Sequence, residues 1–204
     1  MTAPDTRHGR RLDIRAAAAM ILLLAVTACA GPGGRLLRAG DAVQVFDLQL
    51  DTPLDWARLQ SPRAEIWTID GQALNQFVVV AGVKPGEHVL LSSRERAGHP
   101  DGPWYRPGMR ADELRDVILD ALRQDGWTQV SASNLRPARF GNASGLRFEA
   151  QLTHAGGLRY RGIFGAAEHA GRLTHFFWIA PSEYYYGRDA TAVEHMFNSI
   201  RFVD

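Results

Sequence analysis

The chain is poor in three things, and each shortage excludes something. It has a single cysteine, Cys29, in 204 residues, so no intrachain disulfide and no cysteine-rich metal site can form. It has one lysine, Lys84, against 22 arginines, a bias we read as genome base composition rather than a phosphate-binding design. Its longest apolar run, residues 16–28, is about 13 residues, short of the roughly 20 that a membrane-spanning helix needs. Catalytic signatures are also missing. No His-Glu-x-x-His is present, and no Gly-x-Ser-x-Gly. The Gly-rich stretch at 31–34 has neither a preceding strand nor the Gly-Lys-Ser/Thr of a phosphate loop. With 23 basic and 22 acidic residues the net charge is +1, which offers no basic stripe for nucleic acid.

What is there begins at the N-terminus. Arg7, Arg10, Arg11 and Arg15 precede the apolar run, which ends in small residues. A positive segment, an apolar segment and a small-residue exit make a secretory signal peptide. The exit itself, Val26-Thr27-Ala28-Cys29, resembles the lipobox of bacterial lipoproteins. The resemblance implies cleavage between Ala28 and Cys29, a diacylglycerol thioether on the Cys29 sulfur and acylation of the new amino group. Small side chains let an extended backbone enter a protease cleft, and cysteine supplies the thiolate that takes the lipid. One acyl chain holds a protein to a bilayer marginally, whereas two or three bury enough methylenes for stable anchoring. Ala30, where aspartate is absent, implies by the same resemblance the outer membrane, facing the periplasm. Ordinary secretion is the alternative. A twin-arginine route through Arg10-Arg11 fits poorly with Asp13.

Of the 204 residues, the 28 removed would leave 176, enough for one domain with a core of its own. The leader carries four arginines and two aspartates, so the mature chain would be near −1. With Cys29 lipidated no thiol remains for catalysis. We therefore expect three segments: a cleaved signal peptide at 1–28, a lipidated cysteine and flexible tether at 29–40, and an α+β domain at 41–204. Within the domain the pattern predicts strands at 43–50, 64–70 and 74–83, a short return strand at 88–91, and a long punctuated loop at 94–108. Leu114, Val117, Ile118, Ala121 and Leu122 form one apolar stripe, which predicts a helix at 112–125. Asp112 and Glu113 suit its positive end, and Gly126 its stop. A meander follows, with strands at 127–135, 145–152, 158–164 and 173–180. A short helix from 189 or 190 to 198 and a last edge at 199–203 close the chain.

Certain residues sharpen this order: Trp67-Thr68-Ile69-Asp70-Gly71, then Leu74, then Gly82-Val83-Lys84-Pro85-Gly86, with Met109 leading into Glu113-Leu114 and Phe197-Asn198-Ser199-Ile200-Arg201-Phe202 at the end. Together they resemble the PsbP/Mog1-like α/β/α sandwich group over residues 42–203. The resemblance implies a single antiparallel sheet with helices packed on it. It also implies a non-enzymatic assembly factor or binding module, and it carries over no site residue, because binding surfaces differ between branches.

Two aromatic clusters stand out. Trp104, Tyr105 and Arg106 lie in the long loop, and Tyr184, Tyr185 and Tyr186 lie between the last long strand and the terminal helix. Trp, Tyr and Arg are the residue types enriched at interaction hot spots, so these six are the candidate binding surface if both loops meet at one end of the sandwich. The competing reading makes the rings caps on the core. His88, His99, His154, His169, His175 and His195 show no metal-ligand spacing, and His175 reads as a hydrogen-bonded core histidine. Asp101 and Glu183 are the carboxylates beside the aromatic clusters. Asn142-Ala143-Ser144 matches a glycosylation acceptor but reads as chance in a bacterial envelope protein. The sequence therefore points to a non-catalytic binding or assembly module, with no cofactor and no metal. Its expected partners are the lipid bilayer, through Cys29, and an envelope protein. A periplasmic carrier of a small apolar or aromatic ligand, and an enzyme of unrecognised type, remain as alternatives.

Overall fold

A computed structural model describes residues 35–91 and 101–203. The expected signal peptide, Ala28, Cys29 and most of the tether lie outside the described residues, as does the first part of the long loop.

Eleven strands and two helices are described. The strands are β1 (Arg35–Leu37), β2 (Ala42–Val45), β3 (Leu48–Asp51), β4 (Trp56–Gln60), β5 (Ala64–Thr68), β6 (Gln76–Val83), β7 (Trp127–Phe140), β8 (Ala143–His154), β9 (Arg159–His169), β10 (Arg172–Pro181) and β11 (Arg201–Phe202). The helices are α1 (Ala111–Gln124) and α2 (Tyr185–Ser199). Eight strands form one antiparallel sheet in the order β1-β4-β5-β6-β10-β9-β8-β7, and β11-β3-β2 form a second, smaller sheet.

The layers follow from the burial pattern. Strands β6 and β10 sit centrally, and nine of the ten β10 residues are buried. A strand covered on both faces reads as a continuous apolar run, not as an alternation. On one face α1 lays Leu114, Ile118, Leu119 and Leu122 against Phe148, Phe164 and Phe177. Its start is closed by the Arg110 N–H donating to Glu113 Oε2 at 2.9 Å, and Gly126, at φ +100°, turns the chain past its end as only glycine does without strain. On the other face α2 and the small sheet cover Trp56, Trp67, Phe77, Phe176 and Trp178. Phe197 of α2 meets Phe77 and Phe176 edge-on, with ring centroids 5.8 and 5.4 Å apart. Truncating a ring buried this deeply costs about 3–5 kcal/mol.

Several boundaries differ from the sequence expectation. The single strand at 43–50 is the β2–β3 hairpin. Phe46 makes the turn in the left-handed region, at φ +54°, a conformation that no glycine or asparagine announced. The single sheet is joined by a second one, because this hairpin pairs with β11 rather than with the large sheet. Residues 35–37, within the stretch read as tether, belong to a strand, with Leu37 buried. Residues 127–140 are one strand with two bulges. Residues 88–91 form an isolated bridge, His88 to Trp104, instead of a strand. Helix α2 begins at Tyr185, a turn earlier than its apolar spacing indicated.

Candidate functional site

The antiparallel sheet has two ends. At one lie the turns at 46–47, 61–63 and 170–171; at the other lie the turns at 69–75 and 155–158 and the start of α2.

The two aromatic clusters are at opposite ends. Tyr105 is tied to the first end: its amide donates to Glu87 O, its carbonyl accepts from Gly86 N–H, and its hydroxyl donates to Glu168 Oε2 at 2.6 Å. Tyr184 follows Pro181, ten residues of strand away from Arg172, which is about 30 Å at the usual rise. The six residues therefore do not form one surface. Trp104 and Tyr105 are 4% and 1% exposed, so they act as core caps. Burial, and secondarily the Glu168 carboxylate, raises the Tyr105 phenol above its ordinary pKa. Arg106 beside them is exposed.

The tyrosine end is different. Tyr184 is 63% exposed, and Tyr185, half-buried, meets it edge-on at 5.1 Å. The Arg188 guanidinium lies 5.7 Å from the first ring and 5.1 Å from the second. That guanidinium is fixed from below. It donates to Asp189 at 2.9 and 2.7 Å and to Asp70, and these carboxylates raise its pKa further. Asp189 is buried and accepts from Asn75, whose own side-chain oxygen accepts the Trp178 indole N–H at 2.8 Å. A chain of hydrogen bonds thus runs from the core to an exposed Tyr-Tyr-Arg patch. Tyr186 is buried, with Trp178 5.1 Å away and Arg161 4.2 Å over its ring. Next to it, on the same face of the sheet, runs a polar trough of about 650 Å³ lined by Gln129, Ser131, Gln151, Arg159, Arg161 and Ser182. Sequence reading picked out the tyrosines but missed Arg188, Asp70 and Asn75. The i, i+3 and i, i+4 spacing of Arg188 from the two tyrosines was the available signal, hidden because α2 was started too late.

At the other end, on the face that carries α2, opens a cleft of about 550 Å³ lined by Phe46, Asp47, Arg63, Lys84 and Arg172 among others. Between α1 and the sheet lies a hollow of about 250 Å³ lined by Tyr105, Met109, Leu114, Leu146, Ala166 and Leu173. This volume is below the ~300–1,000 Å³ common for ligand pockets, while a groove of about 420 Å³ opens past the end of α1, lined by Gln76, Asp125, Trp127, His154 and Tyr160 among others.

Two displaced titratable groups, Glu87 and His175, serve structure. Arg63, gripping Glu87 at 2.6 Å, holds that carboxyl down at about 2. Burial drives His175 down to about 4; its Nε2 donates to Val89 O at 2.7 Å and its Nδ1 has no hydrogen-bond partner among the described residues. His175 is the core histidine that its place in an apolar strand indicated. Among the described residues no group of three or more His, Cys, Asp or Glu is placed to hold a metal ion.

Comparison with solved structures places the fold. The cyanobacterial PsbP protein (CyanoP) of Synechocystis matches with a TM-score of 0.53 at 12% identity, over 86% of this chain and 96% of that one. The Saccharomyces cerevisiae Ran-binding protein Mog1p matches with a TM-score of 0.52 at 8% identity, over 82% and 97%. A Bacteroides thetaiotaomicron protein matches with a TM-score of 0.44 at 9% identity, and the chain spans about half of its length, 49%. No protein-family model and no curated protein matches the sequence. The fold is PsbP/Mog1-like, an antiparallel sheet with two helices, as the sequence resemblance implied.

Proposed function

We propose that the protein is a lipid-anchored lipoprotein of the bacterial envelope, held through acylated Cys29 at the outer membrane and facing the periplasm. It acts as a non-catalytic binding or assembly module, and its tyrosine end is the surface offered to an envelope protein. One observation carries the reading: Tyr184 and Tyr185 are presented with Arg188 over both rings, and Arg188 is locked by Asp70 and Asp189. Tyr and Arg dominate hot spots, and groups already held in place lose little freedom on binding. The adjoining trough gives such a patch a polar rim. Mog1p, which shares the fold, is a Ran-binding protein by name, which supports a protein-binding role for this kind of sandwich.

The test is site-specific photocrosslinking in living cells from a reactive residue placed at the exposed Glu183, with palmitate labelling of the same samples. The wild type is expected to incorporate palmitate and to yield one discrete adduct. Tyr184→Ala and Arg188→Gln should abolish the adduct while the label persists. Cys29→Ser should abolish the label. An adduct indifferent to Tyr184→Ala refutes the surface, and a wild type without palmitate refutes the anchor.

A further inference from the structure

The cleft at the end opposite the tyrosines differs in charge. Of its cations, Arg63 is already engaged by Glu87 and the Gly82 carbonyl. Lys84 and Arg172 line the cleft, and neither forms a salt bridge among the described residues, although the Lys84 charge helps to hold Glu87 ionised. Arg106 and Arg139, at the same end, are exposed and form no salt bridge among the described residues. Glu87, the carboxylate nearest Lys84 in sequence, is taken by Arg63. Asp47 is the one acidic residue in the cleft lining, and its carboxylate accepts from Thr174 Oγ1 at 3.3 Å.

The strand order adds a direction. β1 runs antiparallel to β4, with Arg35 opposite Arg58 and Leu37 opposite Trp56. β4 runs toward the turn at 61–63, which forms one wall of the cleft. The chain therefore comes into β1 from the cleft end. Only five residues lie between Cys29 and Arg35, and the six steps from one to the other reach about 20 Å at full extension. A lipid on Cys29 keeps the bilayer surface within that distance of the start of β1.

We propose that the cleft end faces the bilayer and that Lys84 and Arg172 take the phosphodiester of a membrane-lipid headgroup in the cleft. This rests on the lipid-anchor reading above. Asp47, across the same cleft, suits the ammonium of an ethanolamine headgroup, so that a zwitterionic lipid satisfies both signs. Arg106 and Arg139 add attraction to the anionic surface around the cleft. An anchor that short and a docked headgroup fix the orientation of the domain. The tyrosine end, about 30 Å along β10, then points away from the membrane toward soluble or integral partners.

The experiment uses the full acylated chain reconstituted into vesicles of phosphatidylethanolamine and phosphatidylglycerol that carry a nitroxide-headgroup lipid. Cys29 is consumed by acylation, so Ala170→Cys and Glu183→Cys each provide one site for a fluorophore, the first on the rim of the cleft and the second at the tyrosine end. Quenching at position 170 and none at 183 is the expected result. Lys84→Gln and Arg172→Gln should each shift the docked-to-undocked ratio about fivefold, as for one basic residue near an anionic surface, whereas Lys84→Arg should keep it. Equal quenching at both positions, stronger quenching at 183, or displacement by millimolar inorganic phosphate overturns the headgroup site. Vesicle flotation, read on the same samples, separates the two ideas. A chain that fails to float refutes the anchor; a chain that floats without quenching at 170 refutes only the docked orientation.

Discussion

Removing one member of the buried Arg58–Glu65 pair should unfold the protein far more readily than removing both. Glu65 is 3% and Arg58 8% exposed. The guanidinium donates to the carboxylate twice, at 2.6 Å each, and once to Gln44 O at 3.1 Å. Gln60 Nε2 and the Trp67 indole N–H complete the carboxylate at 3.0 Å each. Glu65→Leu leaves a buried guanidinium with one carbonyl and the Trp67 ring at 5.9 Å. Arg58→Met leaves a buried carboxylate with two neutral donors. Each single change should cost about 3–5 kcal/mol, the usual range for an orphaned buried charge, or very roughly 6–20 °C in Tm at about 2–4 °C per kcal/mol for a domain of this size. The double variant removes both charges and orphans only the Trp67 N–H, which costs about 1–3 kcal/mol.

Urea unfolding followed by tryptophan emission reads this directly, because Trp56 and Trp67 are buried 6.2 Å apart next to the pair. The pair also gives a sign for pH. Burial opposes ionisation of Glu65, but the hydrogen bonds from Arg58, Gln60 and Trp67 outweigh it and hold the carboxyl below its ordinary range. Its contribution is therefore complete above the unfolded-state value of about 4.3 and is lost as pH falls through the lower folded-state value. Single variants that cost under ~1 kcal/mol, as exposed pairs do, or a double variant as unstable as the sum of the two, would refute the argument.

Three further outcomes are expected. His175, depressed to about 4 by burial, titrates nearer 6.5 when unfolded; stability is complete above pH ~6.5 and falls by roughly 3 kcal/mol as pH drops toward 4. His175→Phe should flatten that slope in urea midpoints taken across the window, and an unchanged slope would assign it elsewhere. Gly165→Ala sets a Cβ into the Phe176 ring and should lower stability by about 1–3 kcal/mol by calorimetry; a neutral result would mean the ring has room to yield. Tyr184→Ala, at an exposed site, should leave stability within about 0.5 kcal/mol by the same measurement, so that any loss of crosslinking belongs to binding and not to folding.

Much of the fold was legible because its signals are local. The apolar stripe on α1, with acids at its start and Gly126 after it, fixes a helix within a residue at each end. Alternation along 145–152 and 158–164 fixes β8 and β9. Misread elements were those decided by distant partners. Phe46 turns in a left-handed conformation that its side chain does not favour, and it holds because Val45 and Leu48 pair across it and both are fully buried. Arg35 to Leu37 looked like tether because a three-residue edge strand has no periodicity to read. Its pairing with β4 is visible only once β4 has been placed.

The two aromatic clusters are alike in composition and opposite in role, and the difference lies in what their backbones bond to. Tyr105 is pinned through its main chain to Glu87 and Gly86, which drives Trp104 and the Tyr105 ring inward and leaves only Arg106 outside. Tyr184 sits at the first turn of α2, where only the helix's own Arg188 N–H returns to its carbonyl. Its ring projects while Tyr186, two residues on, enters the core beside Trp178. Composition flags both stretches as hot-spot material, and strand direction separates them. One lies at the end where β1 starts, and the other a strand's length away at the opposite end. The basic residues follow the same axis. Lys84, Arg106, Arg139 and Arg172 lie at the cleft end and form no salt bridge among the described residues, whereas at the tyrosine end Arg188 is held by Asp70 and Asp189. Exposed cations at one end and a ring-covered cation held by two carboxylates at the other make the two ends electrostatically different.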